Sequence, residues 1–112
     1  LIRSSAMKGG KKVTVQELIS ITNEGRAQLI DLRPSSEFND GHITGSINIP
    51  FSDLENRSHE IKSYDDRSLV LICETGSQSA NAGEALQKLG FKDTLILSGG
   101  IGQWRMDNLP LV

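Results

Sequence analysis

Behind Ser68, the residues Leu69-Val70-Leu71-Ile72 form an unbroken apolar run that ends at Cys73. Successive side chains of a strand point to opposite faces, so a run without polar alternation predicts a strand covered on both sides. A sheet held between helical layers supplies that double cover. The flanking sequence offers the helices. Thr14-Val15-Gln16-Glu17 has the capping-box pattern, in which hydroxyl and carboxylate satisfy each other's backbone donors. Val15, Leu18, Ile19 and Thr22 recur behind it at helical spacing, and Gly25 is a natural stop. Ser52-Asp53-Leu54-Glu55 repeats the capping pattern and predicts a polar helix towards Ile61. A further helix is expected after the Cys73 loop, running to about Leu89 with Ala82, Ala85, Leu86 and Leu89 inward and Gly90 closing it. Short strands are expected over 28–32, 46–49 and 94–97, a helical turn over 35–38, and a last one over 101–104 behind the Gly99-Gly100 turn. This alternation predicts an α/β fold: a mainly parallel central sheet of about five strands, flanked by helices on both faces and joined by right-handed crossovers.

With 112 residues the chain is one domain long. Its 12 Lys+Arg against 14 Asp+Glu leave a net charge of -2, without the basic field that a nucleic-acid partner requires. The single cysteine excludes an internal disulfide framework and a multi-cysteine zinc site; the chemistry argued below for its thiol is expected to need neither metal nor organic cofactor. No apolar stretch approaches the roughly 20 residues that cross a bilayer. Residues 1–12 hold Arg3, Lys8, Lys11 and Lys12 and no acid, with Ser4, Ser5, Gly9 and Gly10 among them. They are read as a flexible basic leader preceding a domain over 13–112. Such a leader, opening at Leu1 and not at methionine, fits either an appended remnant or the cytoplasmic flank of a removed membrane helix; either way the domain is expected to work in the cytoplasm.

One thiol then has to be explained. Cys73 closes the strand expected to be most central, and ligands of open parallel sheets bind beyond the carboxyl ends of the strands. The next helix begins within a few residues, so its unpaired N–H groups and positive dipole end face the intervening loop. Gly76 lets that loop bend until several amides converge on one anion. A sulfur there is favoured as thiolate, the nucleophilic form, and a terminal persulfide sulfur would be held by the same donors. The plain alternative is a small buried hydrophobe at a strand end. The Gly/Ser/Thr-rich residues that follow favour chemistry.

The stretch Asp31 to Pro50, DLRPSSEFNDGHITGSINIP, resembles the first signature of rhodanese-like domains, D-x-R-x-x-x-E-F-x-x-G-H-I-x-G-[AS]-x-N-[IL]-P. The loop Cys73-Glu74-Thr75-Gly76-Ser77-Gln78-Ser79, followed by Ala80, Leu86, Gly90-Phe91, Leu97, Gly99-Gly100 and Trp104, resembles the active-site loop and C-terminal half of the same family. The match looks nearest to short, single-domain bacterial members, some of which carry an N-terminal membrane anchor. The resemblance implies a sulfurtransferase: Cys73 takes sulfane sulfur as a persulfide and passes it to a thiophilic acceptor, a thiol or a cyanide-like ion, or a partner protein. It makes Cys73 the nucleophile and the amides of Glu74, Thr75, Gly76, Ser77, Gln78 and Ser79 the substrate cradle. Ser79 would donate its hydroxyl to the sulfur or cap the helix, with capping the plainer role.

Two departures from the family pattern bear on the donor. Gln78 stands where many members have arginine, and Glu74 places an acid beside the thiol in a loop without Lys or Arg. Both disfavour a dianion such as thiosulfate and favour polysulfide or a persulfide. Asp31 and Arg33 are expected to form a structural ion pair with each other or with Glu37, and His42 to serve the fold and not to act as a base. His59 should be solvated, Trp104 and Phe91 core, and Phe38 packed. A phosphatase-like loop is disfavoured, since its clamping arginine would stand at Ser79 and its histidine at Ile72. The remaining alternative is a catalytically weak module of this fold that binds proteins or senses sulfide.

Overall fold

The computed structural model describes residues 8–64 and 66–112. The elements run β1 (Lys11–Val13), α1 (Val15–Asn23), β2 (Ala27–Asp31), α2 (Ser35–Asp40), β3 (Ile47–Asn48), α3 (Leu54–Arg57), β4 (Ser68–Ile72), α4 (Ser77–Lys88), β5 (Thr94–Leu97) and α5 (Gly100–Met106). The five strands form one sheet in the order β1-β5-β4-β2-β3, and every pairing is parallel. The apolar run is therefore the central strand, and its alternation divides the core in two. Leu69, Leu71 and Cys73 face one layer with Leu54, Ile61, Ala82 and Leu86. Val70 and Ile72 face the other with Val15, Leu18, Ile101 and Trp104.

The Thr14 capping box forms as expected: Thr14 Oγ1 accepts from the Glu17 amide at 3.1 Å, and the Glu17 carboxylate accepts from the Thr14 amide at 2.8 Å. The second does not. Pro50 leads into a 3-10 turn over Phe51–Asp53, so α3 starts at Leu54 without a side-chain cap, and a second 3-10 turn over Ser58–Glu60 replaces its continuation. Proline fixes the incoming backbone, and the chain turns tightly before a threefold hydroxyl–amide spacing can form. Leu89 is exposed because α4 ends at Lys88 and the chain leaves through Gly90. Phe91 is only partly buried against the first core layer.

The domain boundary also needs correction. Lys11 and Lys12 belong to β1, the edge strand, which pairs with β5 from Lys11↔Leu95 to Val13↔Leu97. Ahead of it, Gly9 lies against α4: a Cβ on Gly83 would strike the Gly9 carbonyl, and a Cβ on Gly9 would strike that of Ala80. Thr94 Oγ1 donates to the Gly9 carbonyl at 2.9 Å. The folded unit thus includes residues that the basic composition marked as leader. The leader reading of residues 1–7 lies outside the described residues. Among the described residues no helix is long and apolar enough to cross a membrane.

Candidate active site

Between β2 and β4 the chain changes the direction in which it adds strands, the place where a parallel sheet opens a crevice at its carboxyl end. Both strands end there in chemistry-bearing residues. β2 runs out into Leu32-Arg33, and the Leu32 amide donates to the Ile72 carbonyl at 2.7 Å, so Arg33 leaves the sheet beside the Cys73 loop.

Cys73 is 1% exposed and joins the apolar layer under α4, as the plain alternative requires. Its Sγ nonetheless accepts a hydrogen bond from the Gly76 amide at 3.0 Å, as a reactive sulfur requires. Gly76 is the N-cap of α4 with φ 102, and no side chain caps the helix. The first N–H groups of a helix have no intrahelical partner, so the first turn of α4, from Ser77 on, offers donors that no side chain caps. Of the six expected cradle residues, Gly76 is the one whose amide touches Sγ.

The other loop residues are placed as follows. Thr75 Oγ1 and Ser77 Oγ lie 3.3 Å apart at the surface, and Gln78 is exposed. Ser79 is fully buried on the first turn of α4, and its hydroxyl has no hydrogen-bond partner. The helix-capping role is thereby corrected: a residue three positions inside the helix points its hydroxyl into the protein and not back to the N-terminus. Glu74 reaches out to Arg105 of α5, Oε2 to Nη1 at 2.8 Å.

α5 braces this loop from behind. The Ile101 amide donates to the Cys73 carbonyl at 2.9 Å and the Gly102 amide to the Glu74 carbonyl at 3.0 Å. The close approach needs Gly100, whose φ is +58 and whose added Cβ would collide with both carbonyl oxygens. Residues distant in sequence thus supply what the loop lacks. Arg105 provides the positive charge absent from 74–79, and Lys12 of β1 lines a cleft against Thr75, Gly76 and Ser77. Neither carried a local signal; only pairing of β1 with β5 and packing of α5 bring them in.

Asp31 and Arg33 form a buried bidentate pair, Nη2 to Oδ2 at 2.8 Å and Nε to Oδ1 at 3.0 Å, with Nη2 also donating to the Gly41 carbonyl at 2.7 Å. Burial opposes the Arg33 charge, but the Asp31 bonds and charge outweigh it and raise the guanidinium pKa. Asn48 Nδ2 donates to the carbonyls of Asp31 and Arg33 at 2.9 Å, tying the first signature into one unit. Arg33 Nη1 is buried without a partner. His42 stacks on Phe38 with ring centroids 3.8 Å apart, and its Nδ1 lies 2.9 Å from the Phe38 carbonyl, an architectural placement.

A crevice of this topology with one backbone-held thiol at a helix N-terminus defines a class of cysteine-loop α/β domains. The rhodanese-like domain model matches residues 14–107, and the chain belongs to that family. It is 37% identical to the thiosulfate sulfurtransferase GlpE of Shewanella oneidensis, over 91% of this chain and 99% of that protein. It is 31% identical to the human thiosulfate:glutathione sulfurtransferase, over 88% of this chain and 96% of the other. Among solved structures, a rhodanese-related protein of Thermoplasma volcanium superposes with a TM-score of 0.81 at 29% identity, over 91% of this chain and 97% of that one. The chain is a rhodanese-type sulfurtransferase.

Proposed function

We propose that this enzyme moves sulfane sulfur through a persulfide on Cys73. The Cys73 thiolate attacks the outer sulfur of a donor, the donor's S–S bond breaks, and the leaving group departs with the bonding electrons. An acceptor thiolate then attacks the outer sulfur of the persulfide, and Cys73 leaves as thiolate. The observation that carries this reading is the Gly76 amide held 3.0 Å from Sγ at the uncapped start of α4. That donor faces the sulfur that carries the negative charge as the thiolate which begins and ends the cycle. Ser79, on the first turn of the same helix, adds a buried hydroxyl without a hydrogen-bond partner.

Polysulfide or a persulfide is the favoured donor and thiosulfate the weaker one. Gln78 brings no charge, and Arg105 is already engaged by Glu74. The near-complete burial of Cys73 favours a second reading, a catalytically weak module that binds proteins or senses sulfide. Intact-mass spectrometry after incubation with polysulfide separates the two. A one-sulfur adduct that is absent from Cys73→Ser and released by cyanide or a thiol is the expected result. No adduct from any donor would leave the binding role alone.

A further inference from the structure

Gly9 and Gly10 precede the first strand, yet they press on the helix that holds the sulfur. A Cβ on Gly9 would strike the Ala80 carbonyl of α4, and one on Gly83 would strike the Gly9 carbonyl. A Cβ on Gly10 would strike the Thr94 carbonyl at the start of β5. Backbone meets backbone here, and the two leading glycines take φ of +76 and +126, which favour glycine. A relay of hydrogen bonds closes the contact. Gln87 Nε2 of α4 donates to Thr94 Oγ1 at 2.9 Å, and Thr94 Oγ1 donates to the Gly9 carbonyl at 2.9 Å. Both Thr94 and Gly9 are buried, so water does not readily replace a lost partner. One hydroxyl thus ties helix, sheet and leading segment together.

We propose that residues 9–10 are a strap that sets the register of α4, and that Gly83 and Thr94 are positioning residues for the reaction at Cys73. They act on the sulfur through Gly76, the N-cap whose amide lies 3.0 Å from Sγ. Ala80 is one turn along from Gly76, about 6 Å on the axis, and a helix is stiff over that distance. Whatever fixes Ala80 and Gly83 therefore fixes the amide. Ala82 and Leu86 bury the same helix in the apolar layer, but such packing is non-directional and leaves sliding along the axis to other contacts. No side-chain cap restrains the start of α4. The family match begins at residue 14, so it assigns the strap no role. The kinetic part of the proposal rests on the persulfide reading; the structural part does not.

The test uses Thr94→Val, which removes the hydroxyl but keeps the side-chain shape, and Thr94→Ser, which keeps the hydroxyl. Gly83→Ala forces helix and strap apart. Leu18→Val, in α1 and the opposite core layer, is the control for lost stability alone. Sulfur loading from polysulfide is followed by intact mass over a range of donor concentrations, well below each melting temperature. The Gly76 amide resonance is read by NMR on the same unloaded proteins. Thr94→Val should lower the limiting loading rate about fivefold, the worth of about one hydrogen bond, with the half-saturating donor concentration unchanged. Its Gly76 amide proton should move upfield as the bond to sulfur lengthens. Thr94→Ser should restore both readings, and Gly83→Ala should exaggerate both. Leu18→Val should lower the melting temperature and move neither. A wild-type rate and resonance in Thr94→Val would overturn the strap's role, as would equal changes in Leu18→Val at a matched loss of melting temperature. If wild type itself takes up no sulfur, the persulfide reading fails, and the Gly76 resonance alone decides for or against the strap.

Discussion

Ile101 donates its backbone amide to the carbonyl of Cys73 at 2.9 Å, fixing that residue to the first turn of α5. The thiol is held on both sides by helix N-termini: α4 supplies the Gly76 amide to the sulfur, and α5 holds the peptide behind it. Orphan donors of α5 and carbonyls at the end of the central strand satisfy each other, so the loop has little freedom to drift.

Gly100 is the point at which this brace is most easily broken. An alanine there meets two backbone carbonyls and an unfavourable positive φ, neither of which a flexible side chain can relieve. Gly100→Ala should lower stability by about 2 kcal/mol or more. Thermal unfolding checks this, and the fraction that remains folded should load sulfur more slowly than wild type because the Cys73 carbonyl has been displaced.

Arg105 and Glu74 make an ion pair that is about half exposed on each side, so its worth to folding is small, below about 1 kcal/mol. Its consequence is electrostatic. Arg105→Ala leaves the Glu74 charge facing any incoming anion and should reduce loading from thiosulfate about fivefold, with an unchanged melting temperature. Glu74→Gln should act in the opposite direction. Initial rates of adduct formation at low and high salt measure both, and the differences should shrink at high salt.

The central strand, the Thr14 capping box and the place of Cys73 at a helix start were legible because each depends on neighbours within a few residues. The capping pattern at Ser52 was misleading for a reason equally local: Pro50 sets a 3-10 turn that consumes the residues the box would need. Lys11 and Lys12 looked like leader because a three-residue edge strand has almost no pattern of its own; pairing to β5 makes it a strand. Arg105 was invisible as a loop residue since only the packing of α5 brings it to Glu74. The fold was thus readable from periodicity, while the charge around the site depends on contacts between distant segments.

Ser79 separates stability from chemistry. Its hydroxyl is buried without a partner, a desolvation cost with no compensating bond in the sulfur-free protein. Ser79→Ala should therefore keep or raise stability, by up to about 1 kcal/mol. The same change should shorten the lifetime of the Cys73 persulfide if the hydroxyl donates to the outer sulfur. Unfolding curves of the unloaded protein and the decay of the adduct by mass spectrometry read the two effects independently.

The buried Asp31–Arg33 pair should behave in the opposite way. Asp31→Asn removes the charge that compensates a guanidinium 1% exposed, and Arg33 Nη1 already has no partner. Breaking such a pair from one side costs about 3–5 kcal/mol, much of it the price of the stranded charge. A denaturant titration should show the midpoint falling steeply for Asp31→Asn. Asp31→Asn combined with Arg33→Met, which removes both charges, should recover a substantial part of the loss.

At the other end of the chain's charge range, Glu17 gives the domain a small acid-sensitive contribution. The backbone hydrogen bond from Thr14 is the main cause of a lowered Glu17 pKa, with its burial opposing, and the Thr14 hydroxyl and the nearby Lys11 lowering it further. A carboxylate with a depressed pKa in the folded state adds stability above its unfolded value of about 4.3 and loses it as pH falls through the folded one. Glu17→Gln should therefore unfold at a lower temperature than wild type at pH 7, and the gap should narrow as pH drops from about 5 to 3. Thr14→Ala removes the hydroxyl partner and should reduce the same pH dependence while keeping the acid. Melting temperatures of the three proteins across that range decide the point, and a gap that stays constant with pH would mean that the capping carboxylate contributes nothing through its charge.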